Sequence, residues 1–422
     1  MLRNICVCMV LLFSMLVSAC AQHSSDGNDT VNIKCGAYQE RLFSEMSRQA
    51  RLHDDSLLPP ALIYPGMEGE DPSRWNDDIF TTLMKGASDF DIYELYSTNP
   101  MVFKVIRDHY YTDLSRDEEL MRYFDAMYPD IREWCTYEGE FFGFPAAIYF
   151  TEQIMVNEDL AADIGFCPGE IRTIADLVDF CDTWRDINHT APADGAITVR
   201  NYYADYILSR YGRTTGKIDL DTPEFRSILT RCRDLYMSDP IFQRDSEGTL
   251  GDIVEDTYPV VLNCHNIVPR VQAYVPVPYP LLDSEDPDTP RHARIAWFLI
   301  NPYSKNKEQA FRYLAIWAES MKFEDRRRPL IYRDRAFYES DTRYGHGGNN
   351  QTNDEIYSQD KFDMAGDLLA RMEVEMSFPG YQDVLSIFDE YVMDGTKTLD
   401  EAIAEARDLL DTIRQEQYLD ES

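Results

Sequence analysis

The chain has no C-x-x-C pair, no G-x-S-x-G elbow, no H-E-x-x-H helix and no Gly-rich phosphate loop. Those absences remove the motif-borne routes to dithiol redox chemistry, serine-nucleophile hydrolysis, zinc proteolysis and nucleotide binding. Beyond residue 20 no run of eighteen or more apolar residues occurs, so nothing there reads as a membrane-spanning helix. Positive charge is scarce: 40 basic residues stand against 75 acidic ones, a formal net charge of −35. A body this acidic repels polyanions, which argues against nucleic acid and anionic lipid as partners. Disorder is also excluded, because 44% of the 422 residues are hydrophobic and 27% are charged, the balance of a globular protein. That length suggests two or three domains with ample core.

The first twenty residues are present for a different reason. A short apolar run from Ile5 to Val17 follows Arg3 and closes on Val17-Ser18-Ala19-Cys20, the layout of a secretory leader with a small-residue cleavage site. Ending that site on a cysteine resembles the lipobox of bacterial lipoproteins, in which the thiol receives a diacylglyceryl group. Residues 1–20 therefore read as a lipoprotein signal peptide, Cys20 as the lipidation site, and residues 21–30 (AQHSSDGNDT), polar and small, as a flexible tether. This predicts a chain held on the cell membrane through its lipid, facing the extracellular side or the periplasm. Among the remaining cysteines, Cys35, Cys135, Cys167, Cys181, Cys232 and Cys264, the spacing points to unpaired thiols and leaves one bridge open.

Along the body, strand candidates at Val31–Cys35, Ala61–Tyr64 and Phe90–Leu95 alternate with helical stretches, which indicates a mainly parallel sheet covered by helices. Thr173-x-x-Asp176 and Thr398-x-x-Glu401 read as capping boxes opening amphipathic helices. A helix near Ser304 carries Ala310, Phe311, Leu314, Trp317 and Ala318 on one side, and Val384 to Val392 forms another stripe stopped near Gly395. Residues 275–290 hold five prolines and read as a passage between bodies; residues 326–357 show no period and read as exposed.

Candidate chemistry is sparse. Cys264-His265 lies beside Val260-Val261-Leu262 and reads as part of a buried strand, and Asp283 to Asp288 lacks the turn glycine and distal glutamate of a calcium loop. No pair among the 75 acids stands out for glycoside hydrolysis. No catalytic, metal or cofactor set emerges. Aromatics are the better lead: of 27 Tyr, several stand just past predicted strands or in polar loops, namely Tyr38, Tyr96, Tyr149, Tyr202, Tyr203 and Tyr381. Loops at the carboxyl ends of strands hold ligands in α/β proteins, and Tyr can stack on a sugar face while hydrogen-bonding through its hydroxyl.

In order along the chain, Ser88-Asp89-Phe90-Asp91-Ile92-Tyr93, Tyr111-Thr112-Asp113-Leu114-Ser115, Gly139 to Pro145, Met155 to Leu160, Ile174 to Trp184, Tyr258 to Asn266, Trp297 to Ala310 and Gly395 to Leu410 resemble the extracellular solute-binding proteins of ABC importers, family 1, the maltose and sugar-binding lipoprotein group. The resemblance implies an α/β, two-lobe periplasmic-binding-protein-like fold of type II with discontinuous lobes joined by a hinge. One lobe would take residues 31–146 plus 293–330 and the other 147–292 plus 331–422. Hinges would lie near Pro145 to Tyr149, near Val275 to Arg291, and beyond Met321. It also implies a small-molecule ligand, a carbohydrate before a peptide, polyamine or phosphate ester, passed to ABC permease subunits with no chemistry of the chain's own. A secreted hydrolase and a partner-binding lipoprotein remain alternatives. Carried over position by position, the cleft would present Gly36, Tyr38, Tyr96, Ser97, Tyr149, Tyr203, Asn263, His265, Trp297 and Tyr381. Asn263 and His265 replace a Gly-Trp pair common in relatives, and Leu57 to Arg74 departs from the usual second strand.

Overall fold

The computed structural model describes residues 30–65, 67, 75–150, 153–194, 197–214, 218–238, 240–242, 259–261, 274–282, 291–322, 331–339 and 359–418. Its strands are β1 (Val31–Lys34), β2 (Pro60–Ile63), β3 (Ile92–Tyr96), β4 (Thr136–Tyr137), β5 (Glu140–Phe141), β6 (Phe144–Phe150), β7 (Gln153–Asn157), β8 (Ala193–Asp194), β9 (Val260–Val261), β10 (Tyr274–Pro278), β11 (Arg291–Ile300) and β12 (Met372–Val374).

Val31 and Ile33 are fully buried because β1 runs between β2 and β3, parallel to both. The β11 strand then joins antiparallel to β3, and β6 lies antiparallel along its other side. β12 fills the remaining length of β11 beyond the end of β3, with Glu375 N–H donating to the Ala293 carbonyl and Ser377 N–H to that of Ser97, both at 2.9 Å. A second, separate sheet has the order β10-β7-β9-β8.

Helices cover the first sheet with aromatic contacts. The Ala37–His53 helix turns Phe43, Met46 and Ala50 inward at helical spacing. Phe43 stacks on Trp317 of the Lys307–Ser320 helix with ring centroids 4.7 Å apart and meets Phe298 of β11 edge-on at 5.1 Å. The Trp317 indole N–H also donates to the Pro145 carbonyl at 3.0 Å, tying that helix to β6.

The second body is built on the two capped helices. Thr173 and Asp176 form a reciprocal capping box, and Ile174, Leu177, Phe180, Cys181 and Trp184 are buried behind it. Thr398 and Glu401 cap the C-terminal helix in the same way, with Thr398 N–H donating to Glu401 at 2.8 Å. That helix packs against the Tyr381–Val392 helix, in which Val384, Leu385, Phe388 and Val392 are buried.

Two hydrophobic cores result. One gathers residues of 31–148 and 293–372, the other residues of 154–282 and 378–413. The boundary in the third segment differs from the sequence expectation. The expectation places residues 331–422 in the second lobe, yet Ile331, Tyr332, Tyr338, Phe362, Ala365 and Leu369 lie in the first core. The reason is a set of tyrosine contacts: Tyr332 OH donates to the Ala318 carbonyl at 2.7 Å, and Tyr128 OH to that of Phe362 at 2.8 Å. The chain passes to the second core only between Ser377 and Phe378, later than the expected hinge beyond Met321.

Cys35, Cys135, Cys181 and Cys232 are buried and Cys167 is exposed, none of the five in a disulfide; Cys264 lies outside the described residues. Among the described residues no helix is long and apolar enough to cross a membrane.

Candidate functional site

β1, β2 and β3 are parallel and β6 runs with them, so all four end at one edge of the first sheet, where antiparallel β11 begins. The passages from β6 to β7 and from β10 to β11 leave from this edge. Loops following β1 and β3 therefore open at the junction of the two cores, the position at which α/β sheets hold ligands.

Strand register orders the side chains along that edge. Tyr96 is opposite Ala296, and Arg294, two residues further toward the start of β11, is opposite Tyr149 of β6. Strand alternation puts Glu94, Tyr96, Ala296 and Arg294 on one face and Leu95, Ile295 and Trp297 on the other.

At one end of this row sits a carboxylate. Glu94 is 1% exposed, and its Oε2 accepts the backbone N–H of Gly36 at 2.5 Å. The Tyr96 side chain also hydrogen-bonds to this carboxylate, whereas Oε1 is buried with no partner. Burial pushes the Glu94 carboxyl up to about 7, against the lowering effect of its bonds from Gly36 and Tyr96. Gly36 makes the close approach possible: a Cβ there would stand 2.8 Å from Gln39 Oε1, 3.1 Å from Glu94 Oε2 and 3.3 Å from Tyr96 OH. Its φ of −64° shows that space, not backbone conformation, demands the glycine.

Further along, the exposed guanidinium of Arg294 donates through Nε to Glu375 at 2.6 Å, and Glu375 itself is buried. His292, two residues before it, meets Asp205 of the Arg200–Thr214 helix at 3.0 Å, and both are buried. His292 belongs to the strand of one body and Asp205 to a helix of the other, so this pair bridges them. Tyr381 completes the group. Burial pushes its phenol well above the ordinary value, Glu375 and Asp205 add to the shift, and Arg294 and Arg200 oppose it.

Solved structures share this architecture over nine-tenths of the chain. A maltose-bound MalE3 of Thermotoga maritima matches at TM-score 0.61 with 14% identity, covering 91% of this chain and 99% of the other. The Thermotoga lettingae ABC transporter solute-binding protein bound with α-D-tagatose matches at TM-score 0.61 and 16% identity, covering 91% and 99%. An ABC substrate-binding protein of Listeria monocytogenes in complex with cycloalternan matches at TM-score 0.60 and 12% identity, covering 91% and 98%. This chain has the two-lobe periplasmic-binding-protein fold. The sequence matches no family model and no curated protein, so the likeness is one of fold.

In a periplasmic-binding-protein fold the ligand cleft is the gap between lobes, and the ten positions expected there meet different fates. Gly36 and Tyr96 come together over Glu94. Tyr38 lies in the first turn of the Ala37–His53 helix and Tyr149 opposite Arg294, both at the same edge by backbone position. Ser97 is at the edge but fully buried, its hydroxyl accepting the Ile295 N–H at 3.1 Å, so it clasps β3 to β11. Tyr203 lies in a helix of the second core, where its hydroxyl donates to Asp389. Trp297 faces away from Tyr96 and packs against Phe142 at 5.2 Å beside an apolar pocket of about 170 Å³ that Phe103, Trp134 and Met376 also line. Tyr381 is 2% exposed. Asn263, His265 and Cys20 lie outside the described residues.

Sequence reasoning missed Glu94, Arg294 and Glu375. A glutamate inside Ile92-Tyr93-Glu94-Leu95-Tyr96 looks like the polar step of an alternating strand. In the folded protein every residue from Ile92 to Leu95 is buried, the polar step included, which the alternation alone does not reveal.

Proposed function

We propose that this protein is a lipid-anchored, extracytoplasmic solute-binding protein that takes a carbohydrate into the interlobe cleft and hands it to an ABC permease. The observation that carries the reading is the match, over nine-tenths of the chain, to two-lobe structures described with maltose, tagatose and cycloalternan bound. The cleft edge is consistent with such a ligand. It combines a half-buried tyrosine and an exposed arginine, which accept from and donate to hydroxyls, with buried carboxylates behind them that offset the arginine's charge. Gly36, Tyr38, Tyr96, Tyr149, Asn263 and His265 remain the ligand-facing positions in this reading, with Arg294 added. Ser97, Tyr203, Trp297 and Tyr381 serve internal packing. Lipid on Cys20 would hold the receptor at the membrane, and ligand would stabilise the closed arrangement of lobes, a population shift.

The test is thermal unfolding of the purified protein against maltose, D-tagatose and cycloalternan, with polyamines, short peptides and phosphate esters as the competing classes. A ligand at a hundredfold its Kd adds about 2.7 kcal/mol and raises the midpoint visibly. The expected outcome is a shift with a sugar and no product formed. A shift confined to a polyamine or peptide would replace the carbohydrate reading, and turnover would replace the receptor reading.

A further inference from the structure

Resting on that reading of the cleft, we propose that Glu94 is a positioning residue whose protonation sets the hydrogen-bonding polarity that Tyr96 and the Gly36 turn present to the ligand. Glu94 does not face the cleft itself; its Oε1 has neither solvent nor partner. It acts through two groups that do lie at the cleft edge, the Gly36 N–H at 2.5 Å and the Tyr96 hydroxyl.

An ionised carboxylate only accepts hydrogen bonds. In that state Tyr96 must donate its proton inward and offer the ligand a phenol oxygen as acceptor. A protonated carboxyl gains a donor, so the Tyr96 proton is released to point outward, and the Gly36 N–H is held by a neutral acceptor, a weaker bond than the charge-assisted one. The same cleft thus offers an acceptor in one state and a donor in the other. Burial keeps both states accessible near neutral pH, because it raises the carboxyl to about 7.

The surrounding elements leave the switch to Glu94. From β1, Cys35 is a buried thiol pushed up by burial and then by the charges of Glu94 and Glu40, so it stays protonated in this range. From the Ala37–His53 helix come Gln39, which is not titratable, and Glu40 in the first turn. From β11 the cross-strand neighbour is Phe298. Tyr96, on the same strand, is the group being oriented.

The test uses the purified protein labelled with 15N-glycine and ring-13C-tyrosine, alongside Glu94→Gln. Glutamine keeps a carbonyl acceptor for the Gly36 N–H but cannot ionise. The Gly36 amide and Tyr96 ring resonances are expected to titrate together with a midpoint near 7 in the wild type and to stay flat in the variant. Affinity for maltose, D-tagatose or cycloalternan should change by roughly tenfold between pH 6 and pH 8 in the wild type, the equivalent of one pKa unit of differential interaction, and be level in Glu94→Gln. Flat Gly36 and Tyr96 resonances in the wild type would overturn the proposal, as would a sugar affinity with the same pH profile in both proteins. Joint titration with no sugar bound at any pH would leave the coupling standing and sink the carbohydrate reading instead. Thermal unfolding of Glu94→Gln checks that the variant folds.

Discussion

At the scale of single residues, Glu94 concentrates the conflict between burial and charge. Its ordinary carboxyl value is 4.5, and in the folded protein it stands near 7. Between those two values the folded chain holds a proton that the unfolded chain has released. Its contribution to stability is therefore fully present below about 4.5 and is lost as pH rises through about 7. Thermal midpoints of wild type and Glu94→Gln, measured from pH 4.5 to 8, should show the wild type losing ground steadily up to 7 and none beyond; a constant difference would contradict the raised carboxyl. Gly36 was legible in the sequence as a residue just past the end of β1, whereas Tyr96, expected just past a strand ending at Leu95, closes β3 itself. What they rest on was not legible. Nothing local in Ile92 to Tyr96 tells that both faces of the strand are covered, so the inward position of Glu94 follows only from tertiary packing. Tyr203 erred in the other direction. Its polar neighbours suggested a loop, but they are the first turn of a helix whose opposite side is core, where Asp389 supplies the hydroxyl's partner.

At the scale of elements, caps and turns were the clearest text. Thr173 to Asp176 and Thr398 to Glu401 close capping boxes as their spacing dictates, since the bonds involved span three residues and need no distant partner. The opposite holds for residues 331–372. Phe362 is held by Tyr128, 234 residues away, and Tyr332 by Ala318, 14 residues back, so no periodicity announces that the described part of this stretch joins the first core. Gly380 is the element-scale position most open to a decisive substitution. It precedes the Tyr381–Val392 helix with φ of 77°, and a Cβ there would fall 2.4 Å from Ile413 Cδ1 of the last helix. Left-handed backbone and a steric clash then act together, so Gly380→Ala should lower stability by about 2 kcal/mol, read as a reduced midpoint in chemical denaturation with an unchanged slope. A loss within a few tenths of a kcal/mol would mean that the Ile413 side chain turns aside and that the left-handed backbone costs the alanine little.

At the scale of the whole molecule, charge and connectivity matter most. A net charge of −35 means that the folded state carries substantial self-repulsion, which added salt screens. Raising sodium chloride from about 10 to 200 mM should lift the thermal midpoint, and a falling midpoint would show that ion pairs such as Arg226 with Asp221 and Asp400 outweigh the repulsion. The two-lobe fold was legible through the family resemblance, and the proline-rich stretch at residues 275–290 read as a passage between bodies. The fold's third passage was not legible, for the reason given by residues 331–372. The place of β1 in the sheet has a mechanical consequence. A pull transmitted through the residues ahead of Val31 enters the molecule along a strand hydrogen-bonded on both sides, by β2 and by β3, with the load parallel to the strand axis. Two ladders must then slip in shear together instead of opening one bond at a time. A tug on the proposed lipid anchor would therefore load both ladders of β1 at once.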